Sequence, residues 1–121
     1  MIEERLIAYL ADELDDVPVL MEVPEIPSQD YPEWPDALVI IERVGGRRHD
    51  RLHESSFAFQ SSGASLHDAA ALDERVRRAM DDFPVLTNIG RAQLSSCYNH
   101  TDTRSGRYRY QSTYNIYHME V

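Results

Sequence analysis

The stretch Ser65 to Phe83, SLHDAAALDERVRRAMDDF, constrains the fold more than any other part of the chain. Ala69, Leu72, Val76, Ala79, Met80 and Phe83 recur at helical spacing and form one apolar stripe, while Glu74, Arg75, Arg78, Asp81 and Asp82 fall away from it. A helix of this kind is stable only with its stripe buried, here against a sheet. Ser65 is placed to cap its start, with Asp68 as the shorter form of the capping-box acid, and Pro84 predicts its stop. Strand-like segments on either side make it the crossover that ties two parts of one sheet together.

The preceding residues supply the first of those parts. Ile2 to Leu14 reads as a helix with Ile2, Leu6, Ala8 or Tyr9, Leu10 and Leu14 on one stripe and Glu3 and Glu4 at its positive end. Asp15, Asp16 and Pro18 break it, and Val19 to Val23 follows as a short strand with Val19, Met21 and Val23 on one face. Pro24 to Pro35 carries prolines at 24, 27, 32 and 35, the acids Glu25, Asp30 and Glu33, and the aromatic pair Tyr31 and Trp34. This composition predicts a surface loop with polyproline character, suited to contact with a partner. Ala37 to Val44 is apolar on both faces in its first half, as a strand covered on both sides is. Gly45 and Gly46 predict a turn and Arg47 to Arg51 a basic loop tip, after which Leu52 to Ser61 returns with Phe57 and Phe59 on one face.

Beyond the central helix, Val85 to Gly90 reads as a connector. Arg91 to His100 alternates Ala92, Leu94, Ser96 and Tyr98 against Arg91, Gln93, Ser95, Cys97 and Asn99. Thr101 to Gly106 reverses the chain, and Arg107 to His118 returns with Tyr108, Tyr110, Tyr114 and Ile116 opposite Arg107, Arg109, Gln111, Thr113 and Asn115. The order α-β-β-β-α-β-β predicts an α+β fold, with two helices on one face of a mostly antiparallel five-stranded sheet. Residues 1 to 121 are expected to form a single domain.

Charge limits the functions open to such a domain. The net charge is -9, and residues 1 to 36 hold eleven acids against one arginine, whereas residues 37 to 121 hold ten against eleven. That balance argues against wrapping nucleic acid, which needs a basic face. Every basic residue is arginine, whose planar guanidinium suits carboxylate contacts at polar interfaces. A single cysteine, Cys97, excludes an internal disulfide framework and fits a reducing cytoplasm. The N-terminus carries no export pattern, and the longest apolar run, Ala37 to Ile41, is too short to cross a bilayer, so a soluble protein with no membrane partner is expected.

No catalytic, cofactor or metal residue is expected. Of the histidines at 49, 53, 67, 100 and 118, only His49 and His53 are loosely spaced as ligands, and structural zinc takes four. Cys97 and His100 would point to opposite faces of a strand. Gly45 and Gly46 lack the spacing of a phosphate-binding loop. The tyrosines and arginines of the last strand offer the alternative reading, a small nucleic-acid-binding or regulatory module.

As a set, MIEERLIAYL, Asp16 to Pro24, Ala37 to Gly46, the AAALDERVRRAM helix and the closing YNHTDTRSGRYRYQSTYNIYH segment resemble the tail-terminator (tail completion, or tail-to-head joining) proteins of long-tailed bacteriophages. The resemblance covers nearly the whole chain in the same order of elements. It implies a structural virion protein without enzymatic activity, made in the host cytoplasm and placed at the head-to-tail interface. Such proteins form hexameric rings that stop tail-tube polymerisation, and meet the tail-tube protein on one side and the head completion or connector protein on the other. Phage DNA passes through the lumen without sequence-specific binding. The chain departs from that pattern in its proline-rich insertion, Gln29 to Pro35, and in having no lysine. Arg47, Arg48 and Arg51, opposite the acidic first third in charge, and the exposed-looking Tyr31 and Trp34 are the expected interface residues.

Overall fold

The computed structural model describes residues 2–87, 90–101 and 107–119. Its elements are α1 (Ile2–Glu13), β1 (Val19–Leu20), β2 (Ala37–His49), β3 (Leu52–Gly63), α2 (Leu66–Thr87), β4 (Arg91–Asn99) and β5 (Tyr108–Met119). The five strands form one sheet in the order β1-β2-β3-β5-β4, antiparallel except for the parallel β1-β2 pair. Both helices pack on the same face. Ile2, Leu6 and Leu10 of α1 and Leu72, Val76, Met80 and Phe83 of α2 share one core with Val39, Ile41, Phe57, Phe59, Tyr114 and Ile116.

The N-cap of α2 forms as expected, the Asp68 amide donating to Ser65 Oγ at 3.1 Å. The helix meets β3 so closely there that a Cβ on Gly63 would lie 2.6 Å from the Ala69 amide nitrogen. Its end differs from expectation, because α2 runs through Pro84 to Thr87. Proline's fixed φ is itself helical, and its cost is one lost backbone bond together with crowding of its ring against the carbonyl one turn earlier. The fully buried Phe83 anchors that turn against the core. The expected turn after Thr101 and part of the connector after α2 lie outside the described residues.

Three strands correct the alternation read from sequence. β1 holds only Val19 and Leu20, and Met21 and Val23 are exposed beyond it. Gly45 and Gly46 do not turn the chain. They continue β2 beside a bulge between Arg43 and Gly45, and the turn comes at Asp50 and Arg51, with Asp50 at φ 57°. A side chain at Gly46 would meet the Glu54 carbonyl oxygen at 2.7 Å, and its φ of 154° is one that other residues avoid. In β4 a second bulge, between Leu94 and Ser96, exchanges the two faces. Cys97 thus pairs with Ser112 on the helix side, and Tyr98 pairs with Gln111 on the other, the reverse of what a regular strand predicts.

The sheet face away from the helices is covered in part by the proline-rich segment. Leu38 and Ile40 are buried on this face, and with Val23, Trp34, Arg107 and Arg109 they line a cavity of about 170 Å³. This cover accounts for a strand start that is apolar on both faces.

Candidate assembly surface

The β2-β3 hairpin ends in a short turn instead of a long loop, and this sets where its arginines stand. Arg47 and Arg48 lie on consecutive residues of β2, opposite Glu54 and His53, and so project from opposite faces of the ribbon. Arg47 Nε donates to Glu54 Oε2 at 2.7 Å while its side chain stays 82% exposed, and Arg48 Nε donates to the Asp50 carbonyl at 2.8 Å. Arg51 is exposed at the turn, next to the exposed Leu52. The three arginines therefore share one end of the molecule, as their spacing predicts, with an apolar side chain among them.

Tyr31 and Trp34 do not join that patch. The Tyr31 amide donates to Ser28 Oγ at 3.1 Å and the Ser28 amide to the Tyr31 carbonyl at 2.8 Å, so Tyr31 closes a small turn within its own loop. Trp34 borders the cavity near the start of β2, where the Arg107 guanidinium lies 5.3 Å from its ring centroid and donates to the Pro35 carbonyl at 2.9 Å. That contact ties the loop to β5 and gives Trp34 a packing role on the second sheet face.

Beside the start of β2 lies an open groove of about 500 Å³. Asp16, Asp36 and Asp68 stand on its rim, and Pro18, Pro35 and Ala71 contribute apolar surface. Arg75 binds Asp16 through two contacts, at 2.7 and 3.3 Å, and this hydrogen bonding holds the Asp16 carboxyl below its ordinary range. Asp36 and Asp68 make no ion pair among the described residues. These acids come from three separate segments, so sequence reading did not group them.

Two internal polar networks were also missed. Asp73, 1% exposed, accepts from Ser112 Oγ at 2.5 Å, Arg77 Nε at 3.0 Å and Cys97 Sγ at 3.2 Å. Burial works to lower the Arg77 guanidinium, but hydrogen bonding and attraction to Asp73 leave it above its ordinary value. Burial and the Asp73 carboxylate push the Cys97 thiol up, which favours the protonated, weakly nucleophilic form. Spacing held the signal for this network, since residue 73 falls in the series 69, 73, 76, 80 that faces the sheet.

The second network runs from α1 to the end of β5. Arg43 contacts Glu3 at 3.4 Å and donates to Ser55 Oγ at 3.0 Å, and Ser55 lies 3.0 Å from His118 Nε2. His118 Nδ1 lies 2.9 Å from the Met119 carbonyl, which can only accept, so a neutral ring satisfies the chain with Ser55 donating to Nε2. Desolvation keeps His118 below its ordinary value, assisted by His53, whose ring stacks on it at 5.2 Å. His49 and His53 lie at non-equivalent positions of the ribbon, opposite Leu52 and Arg48, and do not form a ligand pair. Among the described residues no group of three or more metal-ligating side chains comes together, and no helix is long and apolar enough to cross a membrane.

No family model matches the chain, and no curated protein matches it.

Proposed function

We propose that this chain is a structural virion protein, a tail terminator that closes into a ring, hexameric in the family it resembles, at the head-proximal end of a phage tail tube. There it would stop tube polymerisation and join the tail to the head connector. The observation that carries the reading is an open edge on each side of the sheet. β4 forms one edge, with eight of its nine residues exposed and Leu94 and Tyr98 among them. On the other side β1 pairs only with Val39 and Ile40, so the outer edge of β2 from Ile41 to His49 has no strand beside it among the described residues. Long edges with unpaired backbone groups are usually covered or blunted, and a head-to-tail ring covers two different surfaces of every subunit at once.

The alternative, a nucleic-acid-binding module, draws on Tyr98, which the β4 bulge moves to the face of Gln111 and Arg109. Arg109 is already engaged with the His100 carbonyl at 3.1 Å, and Arg107 with Trp34 and Pro35. Native mass spectrometry across a concentration series, run beside a labelled single-stranded oligonucleotide, separates the two. The ring reading expects a discrete oligomer, alone or with tail-tube protein, and no salt-sensitive oligonucleotide complex. A monomer that shifts the oligonucleotide would replace it with the alternative.

A further inference from the structure

We propose that the β2-β3 hairpin tip of one copy seats in the acidic groove of the next copy, so that one directional contact repeats around the assembly. This rests on the ring reading and names the two surfaces that would meet. The groove borders Ala37, where β2 begins, and the tip follows His49, where it ends. A strand of thirteen residues spans about 40 Å at about 3.3 Å per residue, so a tip cannot reach the groove of its own chain.

The two surfaces are complementary in charge. Residues 47 to 51 carry three arginines and one aspartate, a local charge of +2 with histidine neutral. The groove carries Asp16, Asp36 and Asp68 against Arg75, a local charge of -2. They are also complementary in polarity, because Leu52, 45% exposed at the tip, is an apolar group that the accessible Pro18, Pro35 and Ala71 of the groove can receive. Arg47, whose side chain is open to solvent, would exchange its contact with Glu54 for one across the interface, and Glu54 would keep the Tyr117 hydroxyl as a donor at 3.2 Å. Because tip and groove are different surfaces, the contact is heterologous and extends to a ring or a filament instead of stopping at a two-fold dimer.

The test is a charge exchange. One variant carries Arg47→Glu, Arg48→Glu and Arg51→Glu, and a second carries Asp36→Arg and Asp68→Arg. Each alone is expected to weaken self-association by at least about tenfold in sedimentation velocity, while a mixture of the two, or both sets in one chain, restores it. Circular dichroism checks that each variant is folded. As a second measurement that leaves the charges largely in place, Arg51→Cys with Asp36→Cys in a Cys97→Ser background should give an intermolecular disulfide ladder on oxidation, and neither cysteine alone should. If the wild type associates but reversal has no effect, exchange fails to restore it, or no ladder forms, the contact is wrong and the ring reading survives. If the wild type associates neither alone nor with tail-tube protein, both fall.

Discussion

Replacing Asp73 by alanine tests whether the buried polar network holds α2 to the β5-β4 edge. The carboxylate takes three donors, from its own helix, from β5 and from β4, and Ser112 is fully buried. Losing the acceptor strands the Ser112 hydroxyl, which costs about 1 to 3 kcal/mol. Arg77 is 38% exposed and can turn to water, so its lost pair adds only about 0 to 1 kcal/mol. Relief of the buried charge offsets part of this, leaving a net loss of about 1 to 3 kcal/mol. For a domain of this size that lowers Tm by about 4 to 12 °C. Urea and thermal unfolding followed by circular dichroism would measure it. Ser112→Ala combined with Asp73→Ala should cost about 1 kcal/mol less than the sum of the single changes, because the stranded hydroxyl is then gone. A Tm within about 2 °C of wild type for Asp73→Ala, or strict additivity of the pair, would refute the reasoning.

Other changes probe separate links. Gly46→Ala should destabilise by about 1 to 3 kcal/mol through strain against the Glu54 carbonyl, whereas Gly45→Ala, whose Cβ would meet nothing within 4 Å, should be nearly neutral in the same unfolding assay. His118 is held below its ordinary value in the fold, so the unfolded chain takes up its proton first as pH falls. Its contribution to stability is therefore present above pH about 6.5 and lost as pH falls through the folded-state value. His118→Gln should flatten the slope of stability against pH in that acidic window, and an unchanged slope would assign it to other groups. Cys97 should react slowly with a thiol reagent at neutral pH and faster in Asp73→Asn, measured as pseudo-first-order rates, and Cys97→Ser should leave assembly intact because the hydroxyl still donates.

The helices were legible in the sequence because their stripes are local: Ile2, Leu6 and Leu10 in α1, and Leu72, Val76, Met80 and Phe83 in α2, need only a count of residues. Ser65 was legible as a cap for the same reason. The β-ribbon details were not, since a bulge and a turn use the same glycines, and only pairing distinguishes Gly45 and Gly46 within a strand from the same pair at a turn. A bulge also leaves no mark on alternation, so only the partners on β5 place Cys97 and Tyr98 on their faces. Of the expected interface residues, Arg47, Arg48 and Arg51 do share one end, while Trp34 packs against Arg107, a partner 73 residues away in sequence. The groove was illegible for the same reason, its aspartates being neighbours only after folding.

The most direct measurement is the length distribution of tail tubes polymerised from purified tail-tube protein, imaged by electron microscopy with and without this chain at a substoichiometric amount. The account predicts shorter tubes, each capped at one end by a closed ring of uniform diameter. Tubes of unchanged length with bare ends at every ratio tested would contradict it.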